Sequence, residues 1–176
     1  MSDLRVATTD ELTATHLASI RALVEDAFEG TFDADDWDHT IGGVHVLVVD
    51  DDIVAHGSVI ERTLIAGDRR LRTGYVEGVA TARSRRRRGL GTMVMKRVAE
   101  LIRSDFELGA LSTAVQEFYE LLGWERWRGP TYVDTPSGRV RTADEDEGIL
   151  VLRTEKTSAL DPTVSLTCDW RHGDVW

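Results

Sequence analysis

The sequence predicts one α/β domain with a mixed central sheet flanked by helices. Three β-branched runs separated by short turns come first, over residues 44–49, 53–65 and 71–81. The apolar spacing then changes to a helical period over residues 91–104, before a short buried strand at 108–112. Antiparallel strands that lead into a strand–helix–strand unit are typical of a mixed sheet.

Further elements flank this centre. Helical spacing predicts an amphipathic helix over residues 16–28, and the aspartates of 33–38 predict a capped start to a short second helix. Another helix is expected around residues 115–122, ended by Gly123. Later strand candidates are 124–127, 132–134, 149–152 and 164–168. The predicted order is two helices, three strands, helix, strand, helix and strands. Without repeats or linkers, we expect one domain over 1–176.

Composition narrows the setting of the protein. The chain has 176 residues, 41% of them hydrophobic, which suits a globular domain with a core. The start of the sequence has no secretory pattern, and Cys168 is the single cysteine, so a reducing cytoplasm is expected. The apolar runs are only strand-length, which predicts no membrane partner. No His, Cys or Asp spacing matches a metal-ligand set.

The charge is unevenly distributed. The net charge is −10, yet residues 83–88 hold five arginines and no acid, leaving 16 basic against 31 acidic residues, a net of −15, elsewhere. An acidic surface repels nucleic acid and attracts cations, whereas one basic spot suits a discrete polyanion. The arginine run also lacks the interleaved aromatics of a nucleic-acid site. Ordinary solubility charge is the alternative explanation.

The basic spot is part of a glycine-containing motif. Residues 86–91 have the form R-x-x-G-x-G between a predicted strand and a long helix. Glycines let a backbone approach a ligand, and the N–H groups at a helix start favour an anion, so a pyrophosphate is the expected ligand. The segment lacks the Gly-Lys-Ser/Thr ending of a Walker loop and the G-x-G-x-x-G of a Rossmann fingerprint. A basic turn that caps a helix is the structural alternative.

This motif resembles the acetyl-CoA loop of GNAT acyl-CoA N-acyltransferases. Three further segments, 74–80, 36–45 and the terminal 168–176 with its Gly-Asp-Val-Trp ending, resemble the aminoglycoside 2′-N-acetyltransferases within that class. The resemblance covers nearly the whole chain. It implies the GNAT fold, acetyl-CoA as cosubstrate and a homodimer.

The resemblance also implies a cofactor site. The acetyl-pantetheine arm would lie along exposed strand backbone, where the N–H of Val79 would face the thioester carbonyl and stabilise its developing negative charge. The implied cofactor-binding residues are Val79, Thr81, Arg86, Arg87, Arg88, Gly89, Gly91 and Thr92.

The implied reaction is direct acetyl transfer to the 2′-amine of an aminoglycoside, which would confer antibiotic resistance. Glu77 is the candidate base, through one water, and Tyr119 is the candidate acid for the leaving thiolate. A solvated strand residue is the alternative for Glu77. A core position is the alternative for Tyr119, because Val115, Phe118 and Leu122 form an apolar stripe with it.

A polycationic sugar needs carboxylates around it. The implied substrate contacts are Asp36, Glu77, Gly78, Ser112, Asp146 or a neighbour within 144–147, Asp174, and Trp176 through its terminal carboxylate. The acidic run could instead be a solvated loop, and the tail a packed terminus. The connection 113–118 is shorter than the family pattern, which weakens the assignments of Ser112 and Tyr119. Another primary amine as acceptor, or a silent CoA-binding protein, are the alternative functions.

Overall fold

The predicted elements occur in the predicted order, together with two strands that the sequence analysis does not predict. The computed structural model describes residues 3–176. The helices are α1 (Ala14–Ala27), α2 (Ala34–Thr40), α3 (Leu90–Asp105) and α4 (Gln116–Glu120). The strands are β1 (Asp3–Thr8), β2 (Val44–Asp50), β3 (Asp52–Ala66), β4 (Arg69–Thr81), β5 (Leu108–Ser112), β6 (Glu125–Arg126), β7 (Thr131–Thr135), β8 (Gly138–Arg141), β9 (Ile149–Arg153) and β10 (Leu166–Asp169).

Side-chain caps fix where the first two helices begin. Thr13 accepts a hydrogen bond from the backbone N–H of His16 at 3.2 Å and starts α1. Asp33 accepts from the N–H of Asp36 at 3.0 Å, and the Asp36 carboxylate accepts from the N–H of Asp33 at 2.9 Å. These reciprocal bonds satisfy two backbone donors that the helix itself leaves unpaired. The capped short helix predicted at 33–38 is therefore confirmed.

The chain forms two compact units, and β3 and β4 contribute residues to both. The first unit comprises the described residues up to Ile60 and Val76–Val98. In it, β2 pairs antiparallel with β1 and with the first half of β3, and a bulge lies between Val48 and Val49. A cluster of buried side chains from α1 and β4 packs here, namely Leu23, Val24 and Ala80.

The second unit comprises Glu61–Tyr75 and Ala99–Trp176. Here β5 pairs parallel with the first half of β4 and antiparallel with β9, which also pairs with β6. The second half of β3 pairs antiparallel with β10, and β10 pairs parallel with β7. Strand β8 pairs antiparallel with β7. Parallel and antiparallel pairs thus occur together, as the predicted mixed sheet requires.

Two strands are absent from the sequence prediction. Strand β1 precedes the first helix and pairs with β2, and β8 follows the turn after β7. Both strands are largely exposed, and the apolar alternation in β1 is limited to Leu4 and Val6, which is too short a pattern to predict a strand. The helix around residues 115–122 is also shorter than expected, because α4 has only five residues. No helix within residues 3–176 is long and apolar enough to cross a membrane.

Candidate active site

The arginine-rich loop joins β4 to α3, as the motif predicts. Arg87 and Gly89 both adopt left-handed backbone angles, with φ of 61° and 77°. The N–H of Met93 donates to the carbonyl of Gly89 at 2.9 Å, which closes the first helical turn. The preceding N–H groups, including those of Gly91 and Thr92, therefore have no partner within α3. A Cβ on Gly89 would meet nothing within 4 Å, so space lies beside this backbone.

The five arginines of this segment divide into two groups. Arg83 forms an ion pair with Asp26 at 3.1 Å, and Arg85 forms one with Asp50 at 2.5 Å. These two cations are neutralised locally. The other three are exposed and form no ion pair with the described residues: Arg86, Arg87 and Arg88. The uncompensated positive charge therefore lies directly before the helix start.

A bulge interrupts β4 just before this loop. Gly78 has a φ of 58°, and two consecutive carbonyls, those of Glu77 and Gly78, accept hydrogen bonds from side chains of β3. In a regular strand successive carbonyls point in opposite directions, and a glycine in the left-handed region marks a bulge. Glu77 and Val79 flank this glycine, and both are half-buried. The bulge thus lies where the base and the thioester contact are predicted.

Helix α2 packs against this bulge. A Cβ on Gly78 would lie 2.8 Å from Cγ2 and 3.1 Å from Oγ1 of the buried Thr40. The hydroxyl of Thr40 donates to the carbonyl of Asp36 at 2.8 Å. The structure therefore brings the helix that carries Asp36 to the strand that carries Glu77. The carboxylate of Asp36 is half-buried and caps its own helix.

Two buried histidines lie behind the bulge, and the sequence analysis assigned neither a role. Nδ1 of His56 lies 2.7 Å from the Gly78 carbonyl oxygen, and its Nε2 lies 2.9 Å from Nδ1 of His45. Nε2 of His45 lies 2.8 Å from the hydroxyl of Thr9. Burial lowers the pKa of His45 to about 4, and burial followed by repulsion from His45 lowers that of His56 to about 3. Both rings are therefore neutral at neutral pH.

The remaining predicted residues belong to the second unit, where Tyr119 lies on α4. Its side chain is buried and packs edge-on against Phe118 and Trp124, with ring centroids 4.9 and 6.3 Å away. Burial raises the pKa of the Tyr119 phenol to about 12. The phenol thus remains protonated across the physiological range and can act only as a proton donor.

Asp146 is engaged in an internal network and does not present a free carboxylate. Its two oxygens face the guanidinium of Arg141, and Oδ1 also accepts from the backbone N–H and hydroxyl of Thr131, each at 2.9 Å. These bonds, that of Arg141 first, lower the pKa of Asp146 to about 2. The carboxylate therefore joins β7, β8 and the following turn, and its charge is already compensated.

The neighbouring Glu145 has a raised pKa, in contrast to Asp146. Burial raises the pKa of Glu145, and repulsion from Asp174 and Asp144 raises it further. These three carboxylates form what we term the acidic cluster, and no cation among the described residues forms an ion pair with it. Ser112 borders the same turn, since a Cβ on Gly148 would lie 3.5 Å from its hydroxyl oxygen. The unit thus gathers negative charge beside the end of β5.

The last two residues, Val175 and Trp176, pack against the core of the second unit. The Trp176 side chain is 2% exposed and its indole N–H donates to the hydroxyl of Thr142 at 2.9 Å. Its backbone oxygen accepts from the guanidinium of Arg171 at 3.1 Å. Arg62 donates to the carbonyl of Val175 at 2.8 Å. The alternative that the tail is a packed terminus is therefore correct for the Trp176 side chain.

The predicted residues thus form two groups. Glu77, Gly78 and Val79, together with Asp36 and the loop, lie in the first unit. The residues of the second unit are Tyr119, Ser112, Asp146, Asp174 and Trp176. Within residues 3–176 no three His, Cys, Asp or Glu side chains converge as metal ligands.

Comparison with known proteins places this arrangement in context. Residues 8–127 match the family model described as an acetyltransferase (GNAT) domain. A curated aminoglycoside 2′-N-acetyltransferase of Mycolicibacterium fortuitum is 41% identical over 98% of this chain and 91% of its own length.

Solved structures share the fold. The GNAT N-acetyltransferase YhbS of Escherichia coli, solved in complex with CoA, matches with a TM-score of 0.69 and 14% identity over 98% of this chain and 93% of that one. A GCN5-related N-acetyltransferase of Kribbella flavida matches with a TM-score of 0.60 and 27% identity over 72% of this chain. This chain spans about a third of that protein, 34% of its length.

Proposed function

Because the chain belongs to the GNAT acetyltransferases and, within them, to the aminoglycoside 2′-N-acetyltransferases, we propose that it acetylates the 2′-amine of an aminosugar. The observation that carries this proposal is the bulge at Gly78. It turns the Gly78–Val79 peptide away from the regular strand pattern beside Glu77, near the end of the strand that enters the arginine-rich loop. Acetylation removes a positive charge from the sugar, which would confer resistance where that sugar is an antibiotic.

The loop fits the pyrophosphate of acetyl-CoA. Space beside Gly89, the unpaired N–H groups at the start of α3 and the exposed guanidinium groups of Arg86 and Arg88 together favour a dianionic group. Arg87 holds a left-handed backbone that costs about 1–2 kcal/mol in a non-glycine residue. When bound, acetyl-CoA supplies the acetyl group as an activated thioester.

The residues that flank the bulge, Glu77 and Val79, would act on the acetyl group and on the attacking amine. The Val79 N–H donates to the carbonyl oxygen as negative charge develops on it. The amine nitrogen forms a bond to the carbonyl carbon, and the bond between that carbon and sulfur breaks. The carboxylate of Glu77 takes one proton from the amine through a water molecule, and Tyr119 gives one proton to the sulfur.

Tyr119 is protonated at neutral pH and can therefore give a proton, although its raised pKa makes it a weaker acid than a free tyrosine. A thiol has a reference pKa of about 8.5, and burial stabilises its protonated form further. The leaving sulfur therefore needs a donor that is still protonated when the thiolate forms. The Tyr119 phenol, whose pKa burial raises to about 12, is protonated at neutral pH.

The acidic cluster is our candidate for the cationic side of the substrate. Burial and repulsion from Asp174 raise the pKa of Glu145, and an ammonium group beside Glu145 would relieve that repulsion. We assign this role to Glu145 in place of Asp146, whose charge Arg141 already compensates. Glu145→Gln should raise KM for the aminosugar about tenfold and leave KM for acetyl-CoA unchanged. Asp146→Asn is the matched control, and it should lower thermal stability instead.

Thiol release from acetyl-CoA tests the proposed function directly. We expect release with 2′-amino aminoglycosides and none with 2′-hydroxyl analogues. Glu77→Gln should lower turnover at neutral pH about 100-fold while acetyl-CoA affinity stays within about twofold, because a general base contributes on that order to rate. Acetyl-CoA binding without release for any 2′-amine would refute the proposed substrate and point to another amine or to a binding protein.

A further inference from the structure

A continuous chain of hydrogen bonds runs through the interior of the first unit to the bulge. It begins at the Gly42 N–H, which donates to the hydroxyl oxygen of Thr9 at 2.8 Å, and passes through His45 and His56 to the carbonyl of Gly78. Both imidazoles are fully shielded from solvent. Buried polar groups of this kind are arranged so that every donor finds an acceptor.

The acceptor at the end of this series of hydrogen bonds, the Gly78 carbonyl, fixes the position of every proton in the series. The Gly78 carbonyl can only accept, so Nδ1 of His56 carries a proton and its Nε2 accepts. Nδ1 of His45 must then donate to that Nε2, which leaves Nε2 of His45 as an acceptor for the Thr9 hydroxyl. Both rings are therefore neutral Nδ1–H tautomers, and all donors point toward Gly78. A proton added to Nε2 of His56 would oppose the Nδ1–H of His45, whereas a proton on Nε2 of His45 would face the Thr9 hydroxyl, which can instead donate to the Gly43 carbonyl at 3.4 Å.

The series of hydrogen bonds ends at the Gly78–Val79 peptide, whose N–H is the second group with a proposed function. The carbonyl of Gly78 and the N–H of Val79 belong to the same planar peptide, and no peptide bond in the described chain is cis. In a trans peptide these two groups point in opposite directions. Ser58 holds the preceding carbonyl, that of Glu77, at 3.2 Å. The side chains of β3 thus fix the rotation of the peptide and with it the direction of the Val79 N–H.

We propose that Thr9, His45 and His56 are positioning residues that orient and polarise the Gly78–Val79 peptide, whose N–H stabilises charge on the thioester oxygen. This inference rests on the role proposed above for Val79. A hydrogen bond to the carbonyl of a peptide strengthens its N–H as a donor, by about 10–30% for each bond in a hydrogen-bonded series. Donors that are fixed before charge develops need no reorganisation as the reaction proceeds.

The tautomers can be observed without any substrate. In protein labelled with ¹⁵N at histidine, we expect His45 and His56 at pH 7 each to show a protonated Nδ1 and an unprotonated Nε2. An Nε2–H tautomer at either position would overturn the inference, because the Gly78 carbonyl or Nε2 of His56 would then have no N–H donor.

Two substitutions of His56 form a matched pair for function. In His56→Asn the amide nitrogen occupies the place of Nδ1 and can still donate to the Gly78 carbonyl, whereas His56→Gln places its nitrogen one bond further out. We expect kcat to fall about tenfold in His56→Gln and to stay within about threefold in His56→Asn, with KM for acetyl-CoA within about twofold in both. Removal of a direct oxyanion donor costs about 100-fold or more, so an indirect contribution is smaller. Equal kcat in the two variants would refute the positioning role.

The amide proton of Val79 separates this inference from the proposed substrate. On addition of acetyl-CoA, its NMR signal should move downfield in the wild-type protein and in His56→Asn, and less in His56→Gln. No movement in the wild-type protein, with acetyl-CoA bound, overturns the inference whatever the acceptor. Movement without thiol release from any 2′-amine leaves the inference standing and refutes only the substrate.

Discussion

The bulge in β4 and the arginine-rich loop both place a glycine in the left-handed region, but the protein surrounds them differently. Gly78 is enclosed by Thr40 and His56, and its carbonyl is bonded from within. Gly89 has open space beside it, and three neighbouring arginines are exposed. A site that must hold one atom in place is fixed by buried neutral groups. A site that must receive a large anion keeps charge and space available.

The largest predicted effect is a loss of stability at acid pH. It arises at the bulge, where the two histidines titrate, and not at the arginine-rich loop. His45 and His56 titrate near 6.5 when unfolded and at about 4 and 3 when folded, so the unfolded chain binds more protons between these limits. Their contribution to stability is complete above pH 6.5 and is lost as the pH falls toward 4. We expect the free energy of unfolding to fall by about 2 kcal/mol for each histidine between pH 7 and pH 5.

Chemical denaturation at several pH values measures this loss. The double variant His45→Gln/His56→Asn has no titrating ring at either position and should show a much shallower decline over the same range. Arg88→Ala changes the loop, whose guanidinium groups do not titrate there, and should keep the wild-type slope. A double variant as steep as the wild-type protein would mean that other groups control the acid response.

The next largest effect should come from Gly78→Ala. A left-handed backbone costs a non-glycine residue about 1–2 kcal/mol, and a methyl group 2.8 Å from Thr40 adds an overpacking cost of about 1–3 kcal/mol. The variant should therefore lose about 3 kcal/mol of stability together with most of its turnover. Thermal unfolding checks the first expectation and thiol release the second. The additional variant Thr40→Ser removes the crowding methyl group and should recover part of the lost stability.

These two regions also show what sequence patterns can and cannot reveal. The loop was predicted because its arginines and glycines lie within one short stretch of sequence. The bounds of β5 and α3 were predicted to within a residue by their apolar patterns. The histidine chain joins Thr9, His45 and His56 from three separate segments. Its pairing depends on register in β2 and β3, which the bulge at Val48 shifts. For the same reason the sequence could not show that the charge of Asp146 is compensated. The pairing of β7 with β8 places Arg141 beside this carboxylate.

A smaller effect should come from the exposed cations of the loop. Replacing Arg86 and Arg88 together by alanine removes two charged contacts to the proposed pyrophosphate, each worth about 1 kcal/mol or more at an exposed site. We expect acetyl-CoA to bind about 10- to 50-fold more weakly, with a reduced dependence on salt. Arg83→Ala is the matched control, because that guanidinium is paired with Asp26. Titration calorimetry measures these affinities. An equal loss of acetyl-CoA affinity in Arg83→Ala would show that Arg86 and Arg88 have no special part in binding the pyrophosphate.

The smallest effect should come from Gly89→Ala, and it completes the comparison. Its φ of 77° is unfavourable for alanine, but nothing within 4 Å opposes the added methyl group, so only backbone strain remains. We expect a loss of about 1 kcal/mol, or roughly 2–4 °C in Tm for a chain of this size. Gly89→Asn should lose less, because asparagine tolerates the left-handed region better than alanine does. If Gly89→Ala instead destabilised the protein as strongly as Gly78→Ala, backbone angle alone would account for both glycines. The enclosure of the bulge by Thr40 would then have no measurable part in its stability.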